Sequence, residues 1–281
     1  MTNSSLLQRW TIFNKPAPLM AFFKVFLYWI VVELILLGSG FLASLFPLPI
    51  SRYGFGLFGC LGSTLITLWF IRKDNQSFQS MGFQYQSGTI PRFLLGFFLG
   101  LLVMPVVIAI VLLTEPVQLI SVDTANMELF IVSAISLIPM VFAEEVVFRL
   151  YSLKTLQPYF GIWTTQLIIA FVFGLYHLLY GWSIVDAMVG TSLWSLVFGL
   201  SAVLSRGIAV STGIHFAVNI GQILVGKKQS LWTLKPIHSA TTDWEKHVHS
   251  TASLIGYGIV VLWIIVLVVL ILKKKRLKEI A

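Results

Sequence analysis

The run of hydropathy along this chain constrains its fold more than any single motif does. Roughly eight stretches are apolar over about 20 residues, the length a helix needs to cross a bilayer: 19–46, 54–71, 93–113, 128–148, 162–181, 184–205, 208–225 and 252–272. Inside lipid every backbone amide must be paired within the protein, so segments of this kind are helical. With 57% hydrophobic and 11% charged residues, and a mean hydropathy of +0.90, the chain is too apolar for an ordinary soluble domain. The expected fold is all-α and polytopic, a bundle of about eight transmembrane helices.

The first apolar stretch is much longer than a secretory h-region and lacks a small-residue cleavage site, so it reads as a retained anchor. Ahead of it, residues 1–18 carry Arg9, Trp10, Phe13 and Lys15 and suit a cytoplasmic segment lying along the interface. Residues 19–272 form one membrane domain and 273–281 a basic tail, with no repeat, low-complexity tract or soluble second domain. With the N-terminus inside, Arg72, Lys73, Arg92, Lys154, Arg206 and the cluster from Lys273 to Lys278 all fall on the cytoplasmic side. The opposite side holds Arg52, Lys227, Lys228, Lys235 and Lys246, and the loop with Glu115 and Asp123 has no Lys or Arg. This bias predicts both termini in the cytoplasm. The net charge of +8 then records orientation and contact with anionic headgroups, not nucleic-acid binding. The single cysteine, Cys60, offers neither an intramolecular disulfide nor a Cys pair for zinc and reads as a small core residue.

Ionisable side chains at membrane depth cost roughly 2.5–3.5 kcal/mol each at a helix centre, which makes the few present here informative: Lys24, Glu33, Glu144, Glu145, Arg149, His177, Asp186 and His215. Lys24 and Asp186 lie near predicted span ends and can reach the interface. In VFAEEVVFRL, residues 141–150, Glu145 and Arg149 are one helical turn apart and can pair. Glu144 is rotated by about 100° from that face and has no local cation, so it calls for a polar, wet cavity within the bundle. His177 follows Phe173 by one turn, and His215 and Asn219 are one turn apart on a shared face. A single membrane histidine is commonly an interhelical hydrogen-bond partner; taken with Glu144, the two form a constellation.

Glu-Glu-x-x-x-Arg at 144–149, Phe-x-x-x-His at 173–177 and His-x-x-x-Asn at 215–219, in that order on successive spans, resemble the three motifs of the CPBP family. That family is also called Abi or type II CAAX prenyl endopeptidases, and includes intramembrane proteases and bacteriocin self-immunity proteins. The resemblance covers about residues 128–225. It implies eight transmembrane helices around a water-filled cavity open to the membrane, and cleavage of a peptide bond near the cytoplasmic face. Carried over residue by residue, it makes Glu144 and His177 catalytic, Glu145 and Arg149 a structural pair with Phe173 in support, and His215 and Asn219 the polar pair of the third motif.

The chemistry of these residue types is consistent with hydrolysis. Cleavage without a covalent intermediate needs a base for water, donors for the oxyanion and an acid for the leaving amine. Glu144 with His177 can hold and deprotonate one water, while His215 and Asn219 can donate to the carbonyl oxygen. A zinc mechanism would use Glu144, His177 and His215 as a three-ligand set with an open position. The metal-free glutamate mechanism is favoured, with zinc as the alternative: a ligating Glu144 would leave only Glu145, engaged by Arg149, as the base, and there is no His-Glu-x-x-His helix. Ser201, Ser205 and Ser211 lack a base motif, and no Gly-x-Ser-x-Gly elbow occurs.

The expected function is therefore an intramembrane endopeptidase acting on a membrane-associated peptide or lipidated protein in a bacterial cytoplasmic membrane. The competing reading is a bacteriocin self-immunity or scaffold protein that binds without turnover. Transport, in which Glu33 would extend a proton path, has against it the absence of paired broken helices in corresponding halves.

Overall fold

The computed structural model describes residues 17–47, 50–82, 85–122, 127–225, 230–237 and 243–280. Arg9, Trp10, Phe13 and Lys15 of the expected interfacial segment, and also Asp123, Lys227, Lys228 and His238, lie outside the described residues. The chain is an all-α polytopic membrane protein. In order, its elements are α1 (Pro18–Ser44), α2 (Ile50–Lys73), α3 (Thr89–Leu101), α4 (Val103–Thr114), β1 (Val117–Ser121), α5 (Met127–Glu145), α6 (Leu153–Leu179), α7 (Ser192–Ser205), α8 (Ala209–Leu224), β2 (Trp232–Pro236) and α9 (Trp244–Ile280). Single wide π-helical turns, Val146–Ser152 and Asp186–Thr191, lead into α6 and α7.

Among the described residues, six helical stretches are long and apolar enough to cross a membrane, and α8 is a shorter apolar helix. The difference from eight predicted spans has a local cause. The spans expected at 128–148 and 162–181 belong to one helical run, Met127–Leu179, broken at Gly161, whose φ of 71° is open to glycine at little cost. The first of these spans does not stop at residue 148. It continues through the π turn, so the Glu-Glu-x-x-x-Arg motif lies inside a helical run and not at its end.

Outward faces are apolar: Phe23, Leu27, Leu34 and Phe41 of α1 are exposed, as lipid-facing side chains are. The inward face of α1 packs Tyr28, Trp29 and Val32 against Phe148 and Tyr151 of the π turn. Polar locks reinforce this contact: Trp29 Nε1 donates to Ser152 Oγ at 2.8 Å, and Lys24 pairs with Asp74 at 2.6 Å, so Lys24 has a partner within the bundle.

Helix α8 is held against α3 by close backbone approach. Gly96 and Gly100 stand one turn apart on α3, and a Cβ at Gly100 would meet the Ile214 carbonyl oxygen at 2.6 Å. A Cβ at Gly96 would collide with the Val210 carbonyl, and one at Gly213 with that of Phe93. Small residues spaced by four are how membrane helices maximise packing where no hydrophobic force drives association. This packing places His215, the neighbour of Ile214, opposite the α5 glutamates. At one end of the bundle, β1 and β2 pair antiparallel with Leu119 opposite Leu234.

Candidate active site

Glu144 and Glu145 are the last residues of α5, and both are buried. Consecutive helical positions point about 100° apart, and the two carboxylates do point to different surroundings. Glu145 is fully buried, with Oε1 3.6 Å from Arg149 Nη1 and 3.0 Å from His215 Nδ1. An ionised carboxylate only accepts, so Nδ1 carries the proton and donates to Glu145. The other ring nitrogen, Nε2, lies 3.5 Å from Glu144 Oε2. That separation is ion-pair range, but no hydrogen bond joins the two, and Oε2 has no hydrogen-bond partner among the described residues. One histidine thus bridges two adjacent glutamates.

The Arg149 guanidinium is enclosed. Nη2 donates to Ser195 Oγ at 3.0 Å, and its carbon stands 4.5 Å from the Phe173 ring centroid and 5.2 Å from that of Phe198. Phe198 also stacks on the His215 ring at 4.2 Å with 17° between planes. Besides Arg149, the Phe173 ring meets both motif histidines: it is edge-on to Phe148 at 5.0 Å, 4.6 Å from the His177 ring and 6.2 Å from that of His215.

His177 is half-buried. Its Nδ1 donates to the Phe173 carbonyl at 2.8 Å, which leaves Nε2 as the ring's acceptor. The ring is walled by Tyr176 at 5.0 Å and Trp182 at 5.2 Å. Asn219, half-buried, stands one turn beyond His215 on α8. The structure therefore brings Glu144, Glu145, Arg149 and His215 into contact and attaches His177 to them through Phe173.

Glu144 also faces outward from this cluster. It lines a cavity of about 180 Å³ bounded by α1, α2, α5 and α6, together with Glu33, Ser63 and Tyr176. A cavity needs only about 10–15 Å³ of such space to hold one water, so this one has room for water and a side chain. His177, His215 and Asn219 are not among its lining residues, which makes Glu144 the group shared by the cavity and the histidine cluster. The Tyr176 hydroxyl donates weakly to Glu144 Oε1 at 3.5 Å. Sequence reasoning missed Tyr176 and Ser63, since a tyrosine or serine in an apolar helix carries no spacing signal of its own.

No group of three His, Cys, Asp or Glu side chains is gathered as metal ligands among the described residues. His215 gives Nδ1–H to Glu145 and His177 gives Nδ1–H to a carbonyl, which leaves Nε2 of each ring free, but these nitrogens and Glu144 are not gathered as a three-ligand set. As placed, these side chains do not assemble a zinc centre.

Residues 126–221 match the family model described as type II CAAX prenyl endopeptidase Rce1-like. This region of the chain is similar to that family. The match starts just before α5 and ends within α8, so it contains all three motifs and every side chain of the cluster. It is the same family that the motifs resemble. At family level it supports a CAAX-type intramembrane protease in an integral multi-pass membrane protein. No curated protein matches the chain.

Proposed function

We propose that the protein is an intramembrane endopeptidase that hydrolyses a peptide bond of a membrane-associated peptide or lipidated protein with water activated by Glu144. The observation that carries this reading is the arrangement of Glu144, which opens on one side to a cavity and on the other approaches a histidine oriented by Glu145.

In this reading water attacks the scissile carbonyl carbon and gives a proton to Glu144, with His177 Nε2 accepting a second hydrogen bond from the same water. His215 Nε2, when it carries a proton, and the Asn219 amide donate to the carbonyl oxygen as it becomes negative. Collapse of the tetrahedral intermediate breaks the C–N bond, and the proton held on Glu144 passes to the leaving nitrogen. Tyr176 steadies the carboxylate that does this work. The reaction is proposed without a metal. Its proposed setting is a bacterial cytoplasmic membrane; the bias of Lys and Arg supports the placement of both termini in the cytoplasm.

Glu144→Gln keeps the shape and removes the base. With purified protein and a library of membrane-tethered peptides, the wild type cleaves, and the variant, still folded, loses about 10²-fold to 10⁴-fold in rate. Strong chelator leaves wild-type cleavage unchanged. Loss in chelator with recovery on zinc overturns the metal-free mechanism. A well-folded wild type that cleaves nothing in the library overturns the protease in favour of binding without turnover.

A further inference from the structure

The cavity beside Glu144 holds a second carboxylate that the three motifs do not include. Glu33, half-way along α1, lines the same space, and its Oε1 is buried with no hydrogen-bond partner among the described residues. Ser63 on α2 also lines it; this residue is fully buried and its Oγ is likewise unpartnered. The Tyr180 hydroxyl stands beside the Glu33 carboxylate. Counting Glu144 Oε2, two carboxylate oxygens and the Ser63 hydroxyl around this cavity are left without a hydrogen-bond partner among the described residues. Leaving such groups unmatched inside a bundle is costly.

The cavity's ionisable lining groups are two carboxylates, Glu33 and Glu144, and the Tyr176 phenol, with no cation among them. The nearest intramembrane cations are engaged elsewhere, Arg149 with Glu145 and Ser195 and Lys24 with Asp74. The remaining wall is apolar and aromatic: Leu36 and Leu175 supply aliphatic surface, and Trp29 and Phe148 supply rings that attract a cation. At the rim, Ile30 and Leu179 are exposed on the apolar outer surface, so a group carried by a lipid-embedded chain can enter.

We propose that Glu33 is a specificity-determining residue that binds an alkylammonium group of the substrate, a lysine side chain within about four residues of the scissile bond, given a chain reach of roughly 3.3–3.6 Å per residue. The apolar stem lies along the aliphatic wall, and the ammonium donates to Glu33 with Ser63 as a second acceptor. The inference rests on the protease reading for its substrate but not for its binding geometry.

The test uses pairs of tethered peptides that differ only by Lys or the unbranched, neutral Met at one position. Binding is measured by fluorescence anisotropy on full-length protein carrying Glu144→Gln, which needs no turnover, and cleavage is measured on the wild type. Expected is at least a tenfold preference for the Lys peptide at one position in both assays. Adding Glu33→Gln reduces the ratio to about twofold or less, and Glu33→Asp, which keeps the charge, retains most of it. Equal binding of Lys and Met peptides at every position overturns the inference, as does a preference that survives Glu33→Gln in a monodisperse protein. A Glu33-dependent preference in binding with no cleavage by the wild type upholds this site and overturns the protease. Cleavage with a ratio indifferent to Glu33 does the reverse.

Discussion

At the residue scale, Glu145 carries two duties that its position next to Glu144 conceals. It neutralises Arg149, which is enclosed by Phe173 and Phe198, and it accepts the proton-bearing nitrogen of His215. Removing one partner of a buried pair leaves the other charge uncompensated, at a cost of about 3–5 kcal/mol, whereas removing both is often nearly neutral. Glu145→Gln is therefore expected to destabilise the protein by about that amount in a reversible unfolding assay, and Glu145→Gln with Arg149→Met to recover most of the loss. Cleavage should not recover with stability, because His215 still lacks its anionic partner. The Glu145–Arg149 spacing was legible in the sequence as one helical turn. The reach of Glu145 to a histidine 70 residues away was not, because nothing local specifies which helix faces α5.

At the element scale, the position of His215 depends on how closely α8 approaches α3. At Gly100 a Cβ would press on the Ile214 carbonyl oxygen at 2.6 Å and its Cα at 3.0 Å. These are backbone atoms, so no rotamer change relieves the contact. Gly100→Ala should cost about 1–3 kcal/mol. Because misplacement by about 1 Å can cost about 10²-fold in rate, cleavage should fall by about tenfold or more. Gly38→Ala on α1 is the matched control: a Cβ there meets nothing within 4 Å, and the change should be neutral or stabilising by up to about 1 kcal/mol. Melting temperature and kcat/KM on one peptide separate the two cases. The π turn after Glu145 belongs to this scale too. VVFRLYS is compatible with an ordinary helix by composition, and the wider turn reflects the packing of Tyr151 and Ser152 against Tyr28 and Trp29 of α1.

For the whole molecule, the β1–β2 ribbon joins segments more than 100 residues apart and ties the loop after α4 to the segment before α9. Glu115 adds to the tie, accepting from Thr251 Oγ1 at 3.0 Å and lying 3.3 Å from His247 Nε2. In a protein whose native Cys60 has been replaced by serine, Leu119→Cys with Leu234→Cys is expected to form a disulfide on mild oxidation, since the two residues are directly opposed. Pairing Leu119→Cys with Lys235→Cys should not, because that position is out of register and points to the other face. A mobility shift on non-reducing gels reads the result.

From the sequence alone come the solvent and the cast. Long apolar runs demand helices in a bilayer, because backbone amides cannot go unpaired in lipid. A handful of ionisable residues at that depth stand out because each is costly there. Helical period separated Glu144 from Glu145 and joined Glu145 to Arg149. The folded bundle was needed to see that 128–148 and 162–181 form one broken helical run, that His215 stands between two carboxylates while His177 turns Nδ1 to its own helix, and that Glu33 shares a cavity with Glu144. Those facts are non-local. They follow from which helix faces which, and that is set by glycine contacts and side-chain packing between segments far apart in the chain, for which a period along one helix carries no signal.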